Sequence, residues 1–516
     1  MKILFDTNIL IRLTDVRTQL PNEYADVVRM IQELHYSIVY HPAQIEDWAR
    51  DAQEDRRLVN LSRVRQYSML DAPPPPQGSE LSAWGWRQTN ANDVVDNKLL
   101  YAVKRMAVGV LVTEDRKMHQ KARRAGIQEQ VYDIAALYEF LSGQLQAGRL
   151  IQPTSVAVKN VPLYNLDLNN RFFDSLRDAY KEFNDWFKRI AQERSAWVVQ
   201  SESGDIFGLC IYKIEKDENL TDAGLRISGA VLKLCTFKVA SVGYKLGECL
   251  LRQAFLFAVY NNLSAVYVQV RMGQQERLCR LLEEFGFDDV GMYKNDVVWM
   301  KPMRPLPSAR FSMESWRNRD FAIKYYPYHF AGGGVSKYIV PIHPAYHDQM
   351  FPEVNRCSLL FTPDNGCLFA GEANAIKKAY ICKSGVKRIK EGDILLFYRC
   401  DDAKAIDTLG VVEQVVRTSD PERVFAAVAR RTVLTDKAIA RMVNEREVLV
   451  LLFRFIQHLQ RKVTKRELED SGIAGEYQSI RRIPESVYSS LIKPKLKNWG
   501  VEGAPFVLVW REWGII

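Results

Sequence analysis

Three short apolar runs, KILF at 2–5, SIVY at 37–40 and GVLVT at 109–113, alternate with stretches of helical spacing at about 22–34 and 93–106. Runs of four or five apolar residues suit buried strands, and strands alternating with helices build a mainly parallel sheet. The first part of the chain is therefore predicted to be α/β, closed by a helix at about 133–142. The stiff DAPPPPQGSE segment, 71–80, is predicted as an exposed loop.

Aspartates mark the ends of these runs. Asp6 ends the first, in FDTN, and Asp115 follows the third, in VTED. Both positions lie at the C-terminal end of a predicted strand, where open α/β sheets bind ligands. Asp96 lies at the start of a helix, one turn after Asp93, and Asp47 in HPAQIEDWARD starts another. Each has an ordinary role open to it. Asp6 could cap a helix from Asn8, Asn92 or Asp93 could be an N-cap, Asp115 a turn residue and Asp47 a solvated charge. Together they are harder to explain, because two carboxylates about 4 Å apart repel by about 4 kcal/mol at an effective dielectric of about 20. Such a cluster needs a cation or shared protons, and hard oxygen ligands suit Mg²⁺ or Mn²⁺.

FDTN, the helix start NDVVDNKLLYAV and VTED resemble the PIN domain family over roughly residues 1–145. The resemblance implies a three-layer α/β/α fold and metal-dependent cutting of RNA. It implies that Asp6, Asp96, Asp115 and Asp47 are the catalytic, metal-holding acids, with Glu46 the alternative to Asp47. Asn8 and Thr113 match the neighbouring polar positions. The chemistry implied is attack of metal-activated water on a phosphodiester.

A second unit is predicted over residues 151–305, after the first over 1–150. A helical region at about 171–193 precedes strands at AWVVQ (196–200), IFGLCIYKI (206–214) and AVLKLCTFKV (230–239). A long apolar helix (245–261), the strand SAVYVQV (264–270), another helix before Gly286 and the strand DVVWMKP follow, which is an α+β order. The segment LKLCTFKVASVGYKLGECLL joins strand to helix through a small-residue loop, whose amides and helix dipole would suit an anion. In this context it resembles the GNAT acetyltransferase family over about 165–303. That implies acetyl-CoA held by Phe237, Val239, Gly243, Tyr244, Lys245, Leu246 and Gly247. The chain departs from the family where Val242 and Lys245 replace the usual first residue and middle glycine, and where Leu282 stands in place of the common general-acid tyrosine, with Tyr293 or Tyr244 as substitutes.

The third unit, 306–516, follows a linker at PMRPLPSA (302–309). Strands are predicted at 379–384, 393–400, 409–416 and 505–510, and helices at about 437–459 and in the TKRELEDSGI region. KSGVKRIKEGDILLFYRC and LGVVEQVV resemble the PUA-like superfamily, ASCH or EVE-type, over about 340–490. That implies a small β-barrel with helices that binds RNA, tRNA included, or modified bases. Lys387, Arg388 and Lys390, with Lys383, are the candidate phosphate contacts. Tyr380, Phe397 and Tyr398 are candidate base stackers, with an ordinary core role as the alternative. KVTKRELEDSGIAGEYQSIRRI also imitates a helix-turn-helix. His343 and His347 stand four apart with Pro344 between them, which argues against a helical metal pair.

Charge agrees with this division. Residues 1–150 carry 19 Lys+Arg against 19 Asp+Glu, 151–300 carry 18 against 19, and 301–516 carry 34 against 24. The whole net charge of +9 sits in the last third, a footprint that suits nucleic acid. The eight cysteines form no CxxC or Cys/His zinc spacing and are predicted as buried free thiols. Asp6 interrupts the first apolar run, no stretch reaches about 18 apolar residues, and a cytoplasmic location without membrane partners is expected. The leading expectation is a metal-dependent ribonuclease fused to an acetyl-CoA-binding unit and an RNA-binding unit, by family analogy a toxin with an antitoxin partner. The alternatives are an acetyltransferase acting on RNA, aminoacyl-tRNA or protein, and a non-catalytic RNA-binding regulator.

Overall fold

A computed structural model describes residues 1–14, 21–34, 36–50, 54–70, 75–105, 107–146, 156–200, 205–239, 246–271, 275–305, 315–351, 368–370, 376–428, 431–434 and 436–501. The chain is a mixed α/β protein with one parallel and two mixed larger sheets.

The first sheet holds β1 (Lys2–Phe5), β2 (Ser37–Tyr40), β3 (Ser68–Met69), β4 (Val110–Val112) and β5 (Val131–Tyr132). Their order is β3-β2-β1-β4-β5 and every pair is parallel. Period-two alternation buries both faces. Ile3, Phe5, Val110 and Val112 pack against α1 (Thr7–Thr14), α2 (Asn22–Glu33) and α8 (Ile134–Gln146). Leu4 and Leu111 pack on the other face, against α6 (Ala91–Lys104) and α7 (Arg116–Arg124). Three short helices, α3 (Ala43–Ala49), α4 (Glu54–Val64) and α5 (Gly78–Trp84), complete this unit. The cap of α6 is Asn90, whose extended backbone lets its side chain accept from Asp93 N; neither Asn92 nor Asp93 takes that role.

The second sheet holds β6 (Val156–Pro162), β7 (Ser195–Gln200), β8 (Ile206–Lys216), β9 (Ala230–Val239), β10 (Ala265–Arg271), β11 (Asp288–Tyr293) and β12 (Asp296–Pro302). After β13 (His329–Phe330) and β14 (Lys337–Ile342), which lie elsewhere, β15 (Leu368–Ala370) joins it as an edge strand beside β6. The order is β11-β12-β10-β9-β8-β7-β6-β15, and only β9 and β10 run parallel. Its helices are α9 (Asp174–Ala179), α10 (Phe183–Ile190), α11 (Leu246–Tyr260) and α12 (Glu276–Glu284). The apolar cluster under α11 reaches from Val158 to Trp499, so the second and third parts share a core.

The third sheet adds β16 (Lys377–Cys382), β17 (Ile394–Arg399), β18 (Ala405–Thr418), β19 (Val448–Thr464) and β20 (Arg481–Ile483) in the order β16-β19-β18-β17-β14-β20. A final short strand, β21 (Gly500–Val501), pairs with β13. The helices are α13 (Ser315–Lys324), α14 (Pro344–Met350), α15 (Pro421–Val428), α16 (Asp436–Glu445), α17 (Lys465–Asp470) and α18 (Glu485–Val487). The helix expected to reach 459 ends at Glu445, and VLVLLFRFIQHLQRKVT is instead the longest strand. It lies between β16 and β18 with nearly every residue from Val448 to Gln457 buried, which accounts for a continuous apolar run without alternation. No second helix follows α17 before β20, so the helix-turn-helix reading is not met. The barrel expected here is not closed by a ladder among the described residues, since β16 and β20 are sheet edges. The Tyr380 hydroxyl, donating to Pro341 O, and shared apolar packing link β16 to β14. The strand expected at 505–510 lies outside the described residues.

Six cysteines are described, none of them paired in a disulfide with another, with Cys210 and Cys249 buried and the others half-buried. Among the described residues no helix is long and apolar enough to cross a membrane.

Candidate functional site

The first sheet has one topological switch point. From β1 the chain moves outward to β2 and β3, then crosses back to place β4 on the other side of β1. The crevice at the carboxyl ends of β1 and β4 is where such sheets leave room for a ligand. Asp6 follows β1 there and Asp115 follows β4. One hydroxyl ties them together: Thr113 Oγ1 donates to Asp6 Oδ2 at 2.9 Å and accepts from Asp115 N at 3.0 Å. Thr7 N donates to Asp6 Oδ1 at 2.7 Å, and Asp115 Oδ1 caps α7 by accepting from Lys117 N at 2.6 Å. Asp96, on α6, is near enough to feel the charges of both Asp6 and Asp115.

Burial pushes the Asp6 carboxyl up to about 6; the two hydrogen bonds pull it down and the charge of Asp115 raises it. Burial also lifts Asp96 to about 7. Lys121 opposes that rise, while Asp6, Asp115 and Asp93 add to it. The three predicted acids therefore act on one another. Lys121 Nζ lies 3.0 Å from Asp93 and 3.8 Å from Asp96, and is the cation the chain itself supplies. Asp47 sits in the last turn of α3, not at its start. Its Oδ2 accepts from Thr7 Oγ1 at 3.1 Å and its other oxygen pairs with Arg50, so it borders the crevice through Thr7. Glu46 is exposed.

By donor chemistry this set fits a hard divalent cation, being all oxygen and short of positive charge. The carboxylates stand apart, and among the described residues no three acid, histidine or cysteine side chains are close enough to hold a metal ion. A cavity of about 400 Å³ opens beside the crevice, lined by Asn8, Ile9, Ile11, Arg12, Glu114 and Asp115. Asn8 and Arg12 share one face of α1, a spacing of four that could have been read from the sequence and was not.

A second opening lies in the middle sheet. β9 pairs with β8 up to Val239, but its parallel pairing with β10 stops at Leu234 and Val268, so the two strands splay beyond that point. Phe237 and Val239 lie half-buried on the splayed half of β9. Leu246 is in the core, and Gly247 packs beneath Leu281, where an added Cβ would come within 2.8 Å of Leu281 Cδ2. Gly243, Tyr244 and Lys245 fall outside the described residues.

In the third sheet Lys387, Arg388 and Lys390 are exposed on the loop between β16 and β17. Sequence reading missed Arg481 and Arg482, exposed on the edge strand β20; the charges of Arg482 and Arg388 both act on the Tyr338 hydroxyl. The isolated dipeptide carried no signal before β20 was seen to lie beside β14. Phe397 and Tyr398 are buried and cannot stack on bases. Tyr380 instead lines a cavity of about 690 Å³ at the seam between β14 and β16, with Tyr346, Lys383 and Arg441 among its walls. His343 is exposed, whereas His347 is buried and paired with Asp407 at 2.8 Å, so the two do not meet.

A family model described as a domain of unknown function (DUF365) matches residues 372–479. No curated protein matches the chain. Among solved structures the chain is similar to the ASCH protein of Zymomonas mobilis, with 10% identity and a TM-score of 0.24 over 31% of this chain and 96% of that one. It is similar to aminoglycoside 6'-acetyltransferase type Ii, with 17% identity and a TM-score of 0.21 over 28% and 97% of the two chains. A GNAT-family acetyltransferase of Listeria monocytogenes follows at 12% and 0.20, over 25% and 83%. Scores this low carry no argument about activity, which has to come from the chain's own residues.

Proposed function

We propose that the first unit is a PIN-type, divalent-metal-dependent ribonuclease whose substrate is held in part by the basic third unit. The observation that supports it is the placement of Asp6 and Asp115 at the switch point, where Thr113 joins them, with Asp96 near enough to feel both charges. These three residues would draw together to hold the cation, with Asp47 at one remove through Thr7. A bound Mg²⁺ or Mn²⁺ would supply an activated water and offset charge on the phosphate. The chain's own residues do the rest. Thr7 and Thr113 fix the Asp6 carboxylate, and the α7 amide fixes Asp115. Arg12, at the cavity mouth, is placed to attract a phosphate. The test is RNA cleavage with Mn²⁺: it is expected of the wild type and lost in Asp6→Asn and Asp96→Asn. Cleavage unchanged in both variants sinks the proposal. Growth arrest on expression, relieved by Asp6→Asn, would support a toxin role.

The splay of β9 from β10 favours a second activity, acyl transfer from acetyl-CoA held beside α11. Binding measured by calorimetry and lost in Lys245→Glu would support it; a wild type that binds no acetyl-CoA would exclude it.

A further inference from the structure

The turn that carries Asp115 is gripped from both sides by a helix of the second unit. Glu114 precedes Asp115 and Arg116 follows it. Glu114 Oε2 accepts from Arg280 Nη2 at 2.9 Å, and the same guanidinium reaches Asp133 Oδ2 at 2.6 Å through Nη1. Glu114 and Asp133 lie at the carboxyl ends of β4 and β5, so Arg280 bridges two neighbouring strand ends on the crevice side. On the other flank Arg116 Nη2 meets Glu283 Oε1 at 2.7 Å, and its guanidinium lies 5.3 Å from the centre of the Trp299 ring. Arg280 and Glu283 are three apart and share a face of α12, while Leu282 on the opposite side is in the second unit's core. The helix therefore presents one cation and one anion to a turn that presents their complements. Arg277 continues the same face to Glu23, in an exposed pair at 3.0 Å that does not involve Glu114, Asp115 or Arg116.

We propose that Arg280 and Glu283 are positioning residues for the acid crevice, holding Asp115 in place from the second unit. The inference rests on the nuclease reading of that crevice. Asp115 N bonds the same Thr113 hydroxyl that holds Asp6, so movement of the Glu114–Arg116 turn disturbs both acids at once. Neither Arg280 nor Glu283 lines the cavity beside the crevice. Their effect falls on cation affinity and turnover, not on RNA binding.

The experiment measures Mn²⁺ affinity of the full-length chain by electron paramagnetic resonance, beside kcat and KM for RNA cleavage. Arg280→Gln and Glu283→Gln are each expected to weaken Mn²⁺ binding and kcat by about 10-fold with KM unchanged, the usual scale for residues that orient metal ligands. Arg277→Gln is expected to change neither. The exchange of charges in Arg116→Glu with Glu283→Arg is expected to recover most of the loss that either substitution causes alone. That recovery keeps the test decisive should Arg280→Gln fold poorly. If Asp6→Asn abolishes Mn²⁺ binding while the α12 variants bind as the wild type does, the positioning role is overturned and the nuclease reading stands. If Mn²⁺ binding is indifferent to Asp6→Asn, the reading fails and the inference with it.

Discussion

Two clusters of acids in this chain meet opposite fates. In the crevice, Lys121 pairs with Asp93 and Asp96, and burial together with repulsion among the acids raises Asp6 and Asp96 far above the usual carboxylate range. At the junction of the three units, Glu129, Glu248, Glu284 and Glu413 are matched by Lys377, Arg431 and Arg454. There Lys377 bonds Glu129 at 2.8 Å, Arg431 bonds Glu129 at 3.1 Å and Glu248 at 3.3 Å, and Arg454 bonds Glu413 at 2.6 Å. Burial opposes the charge on Lys377 and Arg431, yet the surrounding carboxylates win and push both groups up. Glu248 also accepts from the amides of Ile376 and Lys377, at 2.5 and 2.7 Å. Acids that the chain neutralises itself form a clasp between units. The crevice acids, short of positive charge, instead hold their protons to higher pH.

The comparison predicts different responses to removing one charge. Arg431→Met leaves Glu129 and Glu248 buried with less compensation and should destabilise the protein by about 3–5 kcal/mol, read from the shift of the denaturant midpoint. A loss below about 1 kcal/mol would mean that the junction is solvated and no clasp.

Buried groups with no matching charge give the next effect. Burial, then the charge of Lys337, lowers His329 to about 4, and burial, then Lys98, does the same for His41. The unfolded chain takes up these protons near pH 6.5, whereas the folded chain resists them until near pH 4. Their contribution is therefore complete above pH 6.5 and is lost as pH falls through that window, by about 3 kcal/mol for each histidine. Unfolding midpoints followed from pH 7 to 4 should fall, and His329→Gln should flatten the fall.

In the crevice the charge is expected to serve chemistry, not stability. Asp6→Asn should cut Mn²⁺-dependent cleavage by at least about 100-fold, or about 2.7 kcal/mol of barrier, while the unfolding midpoint holds or rises. A loss of stability on the scale of Arg431→Met would make the crevice a second clasp and break the contrast.

How much of this could be read beforehand follows the range of the interactions. The first sheet was legible because its strands are short, apolar and separated by periodic helices, and the strand-end positions of Asp6 and Asp115 followed from that. Residues 448–459 were misread because a strand buried on both faces has no alternation, so it looks like a buried helix until β16 and β18 are placed beside it. Arg280, Glu283, Lys377 and Arg431 left no trace either. Their partners in other units lie 93 to 302 positions away in sequence, and a charge on a helix face or at a strand end looks the same whether it meets water or another unit.

The smallest expected effect lies on the exposed basic loop, where cations face water and neither clasp nor site is formed. If Lys387, Arg388 and Lys390 touch RNA phosphates, replacing all three by alanine should lower the slope of log affinity against log salt by about 2, at roughly 0.7 per single-strand contact. Stability should hardly change, because exposed charges contribute little to it. Arg481 and Arg482, on the neighbouring edge strand, supply the internal check. If they track the same backbone, their replacement should reduce the slope further by about 1 to 1.5, with the two sets adding. An unchanged slope in the five-fold variant would place RNA elsewhere and leave the crevice to gather its substrate through Arg12 alone.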